Sequence, residues 1–566
     1  MFYNTLKLAK FMLKREKVTS TAWILSMVIL NFLILLLMGS VLMPDAYAIA
    51  EFMAMLENPA LLAMVGPLYS MDVATMGALY TLMMLVFMGI AVGIMNIFFV
   101  VRHTRTDEEA GRYEVLRSLP CGRLANVNAA MLTAVIVNVV MAVLFALTMW
   151  LGMGIVGESM GFGAASVWGA ALGAVGLAFA GVAALFSQIS ANARGASGFS
   201  FMFMGLFYFL RAGADMNPGD AGFLAFFSPL GLMSRTWAYI HNNWWPIFVI
   251  LGIAAGFTAL AYKLCSIRDI DQGLIPARPG KAHGGRLLKS AFGLNFRLLR
   301  FSIIVWVVVL FITGLSYSSV LSDIDTFIAG NSTYRQMLLG PTGLLDQIDA
   351  YTTTEEIAAQ MNVVLGAAGF NIVQMFANMI GFVMAMIAMI PVLLIILKAK
   401  GEEKAIRAEL LFATPTSKTK YLLGFVFIAF ISAVLMQVAQ AVGLYSMSGA
   451  MLENPADLPL SFLLQSVLVY VPAMWIMGGI TVLLVGLFPR RTGLVWAYYG
   501  FTFFAMMYGR MLPDIAWMAN ITPLGWVPQL PMDDISWPVV ATKAVLGLAF
   551  AAAGIIFYSR RDINAI

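Results

Sequence analysis

Long apolar runs, each close to the length of a membrane-spanning helix, alternate along this chain with short polar segments. A spanning helix needs about 20 apolar residues, and twelve runs come close to or exceed that length. The predicted spans cover residues 21–42, 74–101, 124–152, 163–189, 195–212, 246–265, 301–320, 363–397, 421–446, 460–488, 492–512 and 538–558. The pattern therefore predicts an all-α polytopic membrane protein with about twelve transmembrane helices.

Positive charges are distributed unevenly between these spans. When both termini and the even-numbered loops are placed on one side, that side carries 29 Lys and Arg residues and the other carries 5. Because cytoplasmic loops are enriched in Lys and Arg, both termini are predicted to be cytoplasmic. The first run, 21–42, is too long for the apolar part of a signal peptide, and we interpret it as a retained span.

The composition agrees with a bilayer as the main solvent. Hydrophobic residues make up 61% of the 566 residues and charged residues 11%, and the mean hydropathy is +0.87. Soluble domains have about 45–50% apolar and about 25% charged residues, so an ordinary soluble enzyme is excluded, as is a disordered chain. The two cysteines, Cys121 and Cys265, imply no disulfide framework.

The second part of the chain repeats the first at an offset of 292–295 residues. Four blocks match in order: 108–123 with 403–418, Ser228-Pro229-Leu230-Gly231 with Thr522-Pro523-Leu524-Gly525, Trp245-Pro246 with Trp537-Pro538, and Arg268-Asp269-Ile270 with Arg561-Asp562-Ile563. This order predicts two homologous, parallel six-span halves, 1–270 and 286–566. A Gly- and Pro-rich cytoplasmic linker, 271–285, would join them.

Each half begins with an amphipathic segment that carries Lys and Arg on one face and Leu, Phe and Met on the other. These segments are residues 2–17 and about 284–300. The pattern predicts a helix lying in the membrane interface. A basic stop that only orients the following span is the alternative.

Two polar segments, 104–122 and 399–417, follow the second span of their halves. Each is predicted to be one helix with a Glu four residues before an Arg, and each ends at a Pro. A solvated amphipathic helix is one interpretation, but its recurrence in both halves favours a shared, dimeric cytosolic partner. The candidate contacts with that partner are Glu108, Arg112, Glu114, Leu116, Glu403, Arg407, Glu409 and Leu411.

The pattern E-x-A-x-R-x-E-x-L-x-x-x-P-x-x-[RK], present in both halves, resembles the coupling helix of ABC exporter permeases of the second type. The sequence R-D-I-D-Q-G-L-I-P-A-R-P-G at 268–280 resembles the segment between the halves of fused twelve-span permeases in the tetronasin-resistance (polyketide-antibiotic) exporter group. Glu114 and Glu409 match the conserved coupling-helix glutamate of that family.

This resemblance implies a permease subunit of an ATP-driven exporter in a bacterial or archaeal cytoplasmic membrane. It implies that two copies of a cytosolic ABC ATPase, which bind ATP and Mg²⁺, dock on 104–122 and 399–417. It also implies a hydrophobic or amphipathic, drug-like substrate, and a short external re-entrant element at the blocks that begin at Ser228 and Thr522.

The sequence contains no motif for nucleotide or metal chemistry of its own. It has no G-x-x-x-x-G-K-[ST], no H-E-x-x-H and no C-x-x-C. We therefore predict a transporter permease, not an enzyme, which itself binds no cofactor or metal. No Asp or Glu lies deep in a predicted span, which counts against a proton-coupled twelve-span secondary exporter. A non-transporting sensor or membrane anchor is the third interpretation.

By the resemblance, the second and fifth spans of each half line the transport path. The fifth and eleventh spans are rich in Phe, Tyr and Met, which can repack around different apolar guests. The candidate path residues are Phe201, Met204, Phe207, Tyr208, Tyr499, Phe503, Met507, Asn371 and Gln374. Packing between helices is the alternative role for each. Arg211, Arg510 and Lys543 are expected near the outer ends of spans, where long side chains can snorkel.

Overall fold

The computed structural model consists almost entirely of α-helix, and the described part of the chain has no strand beyond one isolated bridge between Ser190 and Ile275. The residues described are 1–39, 62, 65–67, 75–158, 161–216, 221–269, 272–275, 283–285, 288, 290–318, 321, 324–329, 335, 348, 353–369, 371–452, 457–508 and 513–562. The prediction of an all-α polytopic membrane protein is confirmed.

The chain divides into two compact units, Met1–Gly280 and Lys281–Ile566. The helices described in unit one are α1 (Thr5–Leu37), α2 (Met76–Val101), α3 (Arg112–Ser118), α4 (Ala125–Val156), α5 (Phe162–Ile189), α6 (Ala193–Met216), α7 (Pro229–Ser234) and α8 (Trp245–Ile267). A π-helical turn, Arg102–Thr106, and a helical turn, Asp107–Glu109, extend α2.

Unit two is built from a comparable series. Its described helices are α9 (Ala291–Ser318), α10 (Ile324–Ala329), α11 (Thr354–Ala367), α12 (Ile372–Lys404), α13 (Arg407–Phe412), α14 (Lys418–Met451), α15 (Leu460–Leu468), α16 (Val471–Leu487), α17 (Leu494–Tyr508) and α18 (Trp537–Arg560). Most of the predicted linker and Arg510 lie outside the described residues.

Ten helices in the described part are long and apolar enough to cross a membrane. They coincide with ten of the predicted spans. The other two, the fifth and the eleventh, are the helices α6 and α17, which do not belong to this group. The described apolar part of α17, Leu494–Met507, spans about 21 Å at 1.5 Å per residue, less than the roughly 30 Å of a hydrocarbon core. The two exceptions occupy the same place in the repeat.

Helix α6 also runs past its predicted end to Met216 and includes an acidic residue. The Asp215 carboxylate is fully buried, 3.1 Å from the Arg211 guanidinium and 2.9 Å from that of Arg235. Because it is paired with two arginines, it does not resemble the free intramembrane carboxylate expected of a proton relay.

Small residues let the spans of each unit approach closely. A Cβ added at Gly169 of α5 would stand 2.2 Å from the Ala142 carbonyl oxygen of α4, and one at Gly479 of α16 would stand 2.5 Å from the Gly547 carbonyl oxygen of α18. Van der Waals contact between such close backbones is a main source of helix association in lipid.

The predicted interfacial segments are not separate helices in the described part of the chain. Residues 5–17 are the first turns of α1, and residues 291–300 are the first turns of α9. Neither junction contains a Pro or Gly to break the helix. Leu8, Ala9 and Met12 pack instead on the start of α4, around Ala125 and Ala129.

Candidate functional site

The segment between the second and third spans is a broken helix in both units, not the single helix predicted for 104–122 and 399–417. In unit one, the chain turns at Gly111, whose φ is +70°, and α3 begins at the next residue. In unit two, the chain turns at Ile406, whose φ is +62°, and α13 then begins. The two breaks are 295 residues apart, the offset of the sequence repeat. We call α3 and α13 the paired loop helices.

The left-handed conformation explains both breaks, because it cannot continue a right-handed helix. The Gly111 N–H donates to the Glu108 carbonyl oxygen at 3.0 Å, and the Ile406 N–H donates to the Glu403 carbonyl oxygen at 2.8 Å. Glycine adopts this conformation at little cost, whereas a β-branched residue is strained there.

Each break is bridged by an ion pair, but the acid is not the one predicted. The Arg112 guanidinium donates to the Asp107 carboxylate at 2.6 and 2.9 Å, and Arg407 donates to Glu402 at 2.6 and 3.2 Å. The predicted pairs with Glu108 and Glu403 were wrong, because the left-handed residue interrupts the i, i+4 spacing on which they depended. Hydrogen bonding to Glu402 raises the pKa of the exposed Arg407 guanidinium.

Glu108 and Glu403 instead reach the end of the last span of their own unit. Both are nearly fully buried. Glu108 accepts two hydrogen bonds from Arg268, at 2.6 and 2.7 Å, and pairs with Arg105 at 3.1 Å. Burial opposes the charge of Arg268, but the hydrogen bonds and charge of Glu108 outweigh it and raise the pKa of that guanidinium.

Glu403 repeats this arrangement with a smaller set of partners. It accepts a hydrogen bond from Arg561 at 2.5 Å and one from the Tyr558 hydroxyl. We call the pairs Glu108–Arg268 and Glu403–Arg561 the Glu–Arg clamps. The partners are 160 and 158 residues apart in sequence, so each clamp joins the end of the second-span helix to the end of the sixth.

A second bond fixes the same junction. Arg123 donates to the Arg268 carbonyl oxygen at 2.7 Å, and Lys418, its counterpart at offset 295, donates to the Arg561 carbonyl oxygen at 2.7 Å. Two of the four repeated sequence blocks are therefore in contact with each other inside each unit.

The repeated blocks that begin at Ser228 and Thr522 also share their local geometry. Each hydroxyl oxygen accepts a backbone N–H three residues later, from Gly231 at 3.2 Å and from Gly525 at 3.1 Å. Both glycines are required by close approach, since an added Cβ would clash with the backbone of Ala225 or Ala519.

The paired loop helices present an exposed acidic and apolar surface. Glu114 and Glu409 lie in their first turns and are exposed. The next residues, Val115 and Leu410, are 66% and 76% exposed. The adjacent leucines face inward: Leu116 packs against the cluster formed by the starts of α1 and α4, and Leu411 packs on the core of unit two. The predicted site residues thus divide into the buried Glu108 and Glu403, the half-buried leucines, and the exposed arginines and glutamates.

Sequence reasoning missed several members of these clusters. In unit one, Arg15 of α1 donates to Asp107 at 2.9 Å and bonds the His103 ring at 2.7 Å, and Arg102 donates to the buried Glu16 at 3.1 Å. The available signal for Asp107 was that an acid recurs at offset 295, as Glu402. Nothing in the local pattern pointed to Glu16 or Arg15, because both belong to a segment read as a basic surface.

The candidate path residues of α6 mostly pack within unit one. The rings of Phe201 and Phe98 are 5.3 Å apart, and those of Phe207 and Phe179 are 6.3 Å apart. Met204 and Tyr208 are half-buried against the same core, and the Arg211 guanidinium lies 4.8 Å from the Tyr208 ring.

The candidate path residues of unit two have more varied surroundings. The Tyr499 hydroxyl donates to the Met386 carbonyl oxygen at 3.0 Å, Met507 packs on the core, and Phe503 is exposed. The Asn371 side chain caps the start of α12, and Gln374 donates to the Asp457 carbonyl oxygen at 2.9 Å. A role for these residues in transport stays a prediction.

In the part of the chain that the structure describes, no group of three or more His, Cys, Asp or Glu side chains could hold a metal ion. The buried acidic side chains at the ends of the second-span helices are paired with Arg or Lys of the same unit. Their arrangement suits mechanical attachment of the helical segments next to the loop helices.

A family model described as "Multidrug efflux system permease Rv1217c, C-terminal domain" matches residues 10–263, 288–364 and 342–559. The matched stretches fall in both compact units. The multidrug efflux system permease protein Rv1217c of Mycobacterium tuberculosis is 28% identical over 566 residues, which cover 100% of this chain and 96% of that protein.

Proposed function

The chain belongs to the Rv1217c multidrug efflux permease family, and we propose that it is the membrane-spanning subunit of an ATP-driven ABC exporter. It is a multi-pass membrane protein and a transporter, not an enzyme. Within the proposal, two copies of a cytosolic ABC ATPase bind ATP and Mg²⁺ and dock on the paired loop helices. Both termini are cytoplasmic, in a bacterial or archaeal cytoplasmic membrane, and the chain is related to the tetronasin-resistance group.

The repetition of one attachment in both units carries this proposal. Each loop helix begins after a left-handed residue and exposes a glutamate and an apolar residue, and the helical segment just before it is fixed by a Glu–Arg clamp to the last span of its unit. A single solvated loop helix needs no such support. Two equivalent, rigidly mounted helices suit a dimeric partner, which presents the same surface twice.

The clamps offer a route for force. Closure of the ATPase dimer would displace the loop helices, and the buried pairs Glu108–Arg268 and Glu403–Arg561 would carry that displacement to α8 and α18. Buried ion pairs suit this role, because separating one leaves an uncompensated charge. The last span of each unit would then move together with its second span and rearrange the path.

The proposed substrate is a hydrophobic or amphipathic, drug-like compound. The aromatic and Met side chains of α6 and α17 support this choice, because such side chains repack around different apolar guests. A bare ion or a hydrophilic sugar would need more polar groups along the path.

Charge reversal at the exposed glutamates tests the docking. In the double variant E114K/E409K, we expect co-purification of the ATPase subunit to fall at least about tenfold. If the glutamates face a cationic surface of the ATPase, as the proposal requires, the new lysines repel it. Substrate-stimulated ATP hydrolysis should fall as well. The matched control is D534K, which reverses an exposed charge elsewhere in unit two.

Unchanged ATPase capture by E114K/E409K would disprove docking on these helices. Transport that survives an ATPase unable to hydrolyse ATP, but stops when the proton gradient is collapsed, would identify a secondary exporter instead.

A further inference from the structure

Unit two contains a cavity of about 390 Å³ that is lined by mostly apolar side chains, one threonine and one cation. The lining comes from α16, from the turn after Thr522 and from the first half of α18. Lys543 is only 8% exposed, although it is the single charged residue among the lining residues. No hydrogen bond or ion pair joins it to any residue that the structure describes.

A nearly buried lysine with no partner among the described residues is costly in apolar surroundings, and a compensating anion would lower that cost. The ion pairs of the loop helices each have their counter-ion within the unit, and so does Asp215. Lys543 differs from all of them. The equivalent position in unit one, by the offset of 293 that relates Arg561 to Arg268, is Ile250, which is fully buried. The helix therefore packs well with an apolar residue here, and the lysine is not required by the fold.

The cavity opens on a surface that would face lipid. Thr542 and Leu546 line it from the exposed side of α18, and Trp526, at its rim, is 62% exposed. Trp537, at the start of α18, is also exposed. Exposed tryptophans at a helix end are typical of the level of lipid headgroups.

Helix geometry directs the lysine toward that level. Lys543 follows Trp537 by six residues, about 9 Å along the helix axis. Because helical side chains lean toward the N-terminus, the long lysine chain extends back toward the headgroups. The apolar walls formed by Ile476 and Leu546 continue in the opposite direction, where acyl chains lie.

We propose that this cavity is a binding site for an anionic phospholipid of the leaflet in which α18 begins, with the lipid phosphate on Lys543 and an acyl chain against Ile476 and Leu546. The occupant is a bilayer lipid because the cavity opens on the outward face of a spanning helix. It is anionic because the described residues supply no counter-ion to the lysine. The site does not depend on the proposed ATPase partnership.

Native mass spectrometry of the full-length, detergent-solubilised protein tests the site, with phosphatidylglycerol and phosphatidylcholine as probes. We expect the wild type to retain phosphatidylglycerol with an affinity about fivefold higher than that for phosphatidylcholine, as one lysine near a headgroup provides. In K543M the preference should disappear, and in K543R it should remain.

Two further variants make the result specific. T542W fills the cavity from its exposed side and leaves Lys543 in place, so it should also lose the bound phosphatidylglycerol. K263M removes an exposed lysine from α8, the equivalent helix of unit one, and should behave as wild type.

Equal retention of phosphatidylglycerol by wild type and K543M would overturn the proposal. Saturable binding of dodecyl phosphate at Lys543, without any preference for phosphatidylglycerol, would assign the cavity to a soluble amphiphile and overturn it as well.

Discussion

The two units have the same Glu–Arg clamp next to their loop helices, but the side chains around the clamp differ. In unit one, Glu108 pairs with both Arg268 and Arg105, and Arg15 ties the first span to the adjacent Asp107. In unit two, Glu403 has Arg561 as its cation together with a tyrosine hydroxyl. Among the described residues, α9 adds no ion pair to this cluster. The Glu–Arg pair is present in both units and is therefore the part that the attachment requires. Because unit two has fewer ion pairs around it, we expect mutations to separate its second span from its sixth more easily than in unit one.

Removal of the clamp arginine should give the largest difference in stability loss between the two units. R561M leaves the buried Glu403 without a cation, and loss of one partner of a buried pair costs about 3–5 kcal/mol. R268M leaves Glu108 paired with Arg105 and should cost clearly less. Thermal unfolding of the two purified variants, followed by size-exclusion chromatography, gives the comparison.

The double variant E403Q/R561M provides the control, because it removes both charges. We expect it to recover much of the stability lost in R561M. Equal destabilisation by R268M and R561M would contradict the inferred difference between the clusters.

Exchanging the residues at the two breaks should change the stability by a smaller amount, with opposite signs in the two units. Ile406 holds a left-handed conformation that costs an L-residue about 1–2 kcal/mol, so I406G should stabilise unit two, by less than this because glycine also has more freedom when unfolded. G111I should destabilise unit one by a similar amount.

Ile406 is exposed, and a Cβ added at Gly111 meets nothing within 4 Å, so packing will not obscure the result. G111A, which introduces the strain without the bulk, is the matched control. The measurement is again the unfolding temperature of each variant, and stabilisation by G111I would show that the break does not depend on the left-handed residue.

The smallest difference between the units is expected for the partly exposed ion pairs that Arg15 makes with Asp107 and Lys398 makes with Glu402. R15Q removes a bond between two helices, and K398Q removes an i, i+4 pair within α12. Both cations are partly exposed, so we expect about 1 kcal/mol or less for R15Q and about 0.3–0.5 kcal/mol for K398Q. ATPase stimulation should fall in R15Q alone if the link from α1 supports coupling, and equal activity of the two variants would remove that link from the mechanism.

Most of the fold could be predicted because hydropathy and helix length are local properties of the sequence. Ten predicted spans correspond to long apolar helices. Spans five and eleven are not in this group, because α6 contains Arg211 and Asp215 and the described part of α17 is shorter than a span.

The site was predictable only in outline. Glu108 and Arg112 recur at the same offset as Glu403 and Arg407, so the repeat revealed that these positions matter. It could not assign the partners, because the left-handed turns at Gly111 and Ile406 reset the helical spacing. The clamp partners, moreover, are about 160 residues apart, a distance at which periodicity carries no information.

The clamps close entirely within their own units, from the second span to the sixth. Among the described residues, the charges of each clamp therefore all come from its own half of the sequence. This is the arrangement expected if an ancestral half-length gene, already complete in this respect, was duplicated and fused. The later divergence of the surrounding partners then records how each copy specialised once both were inherited as one polypeptide.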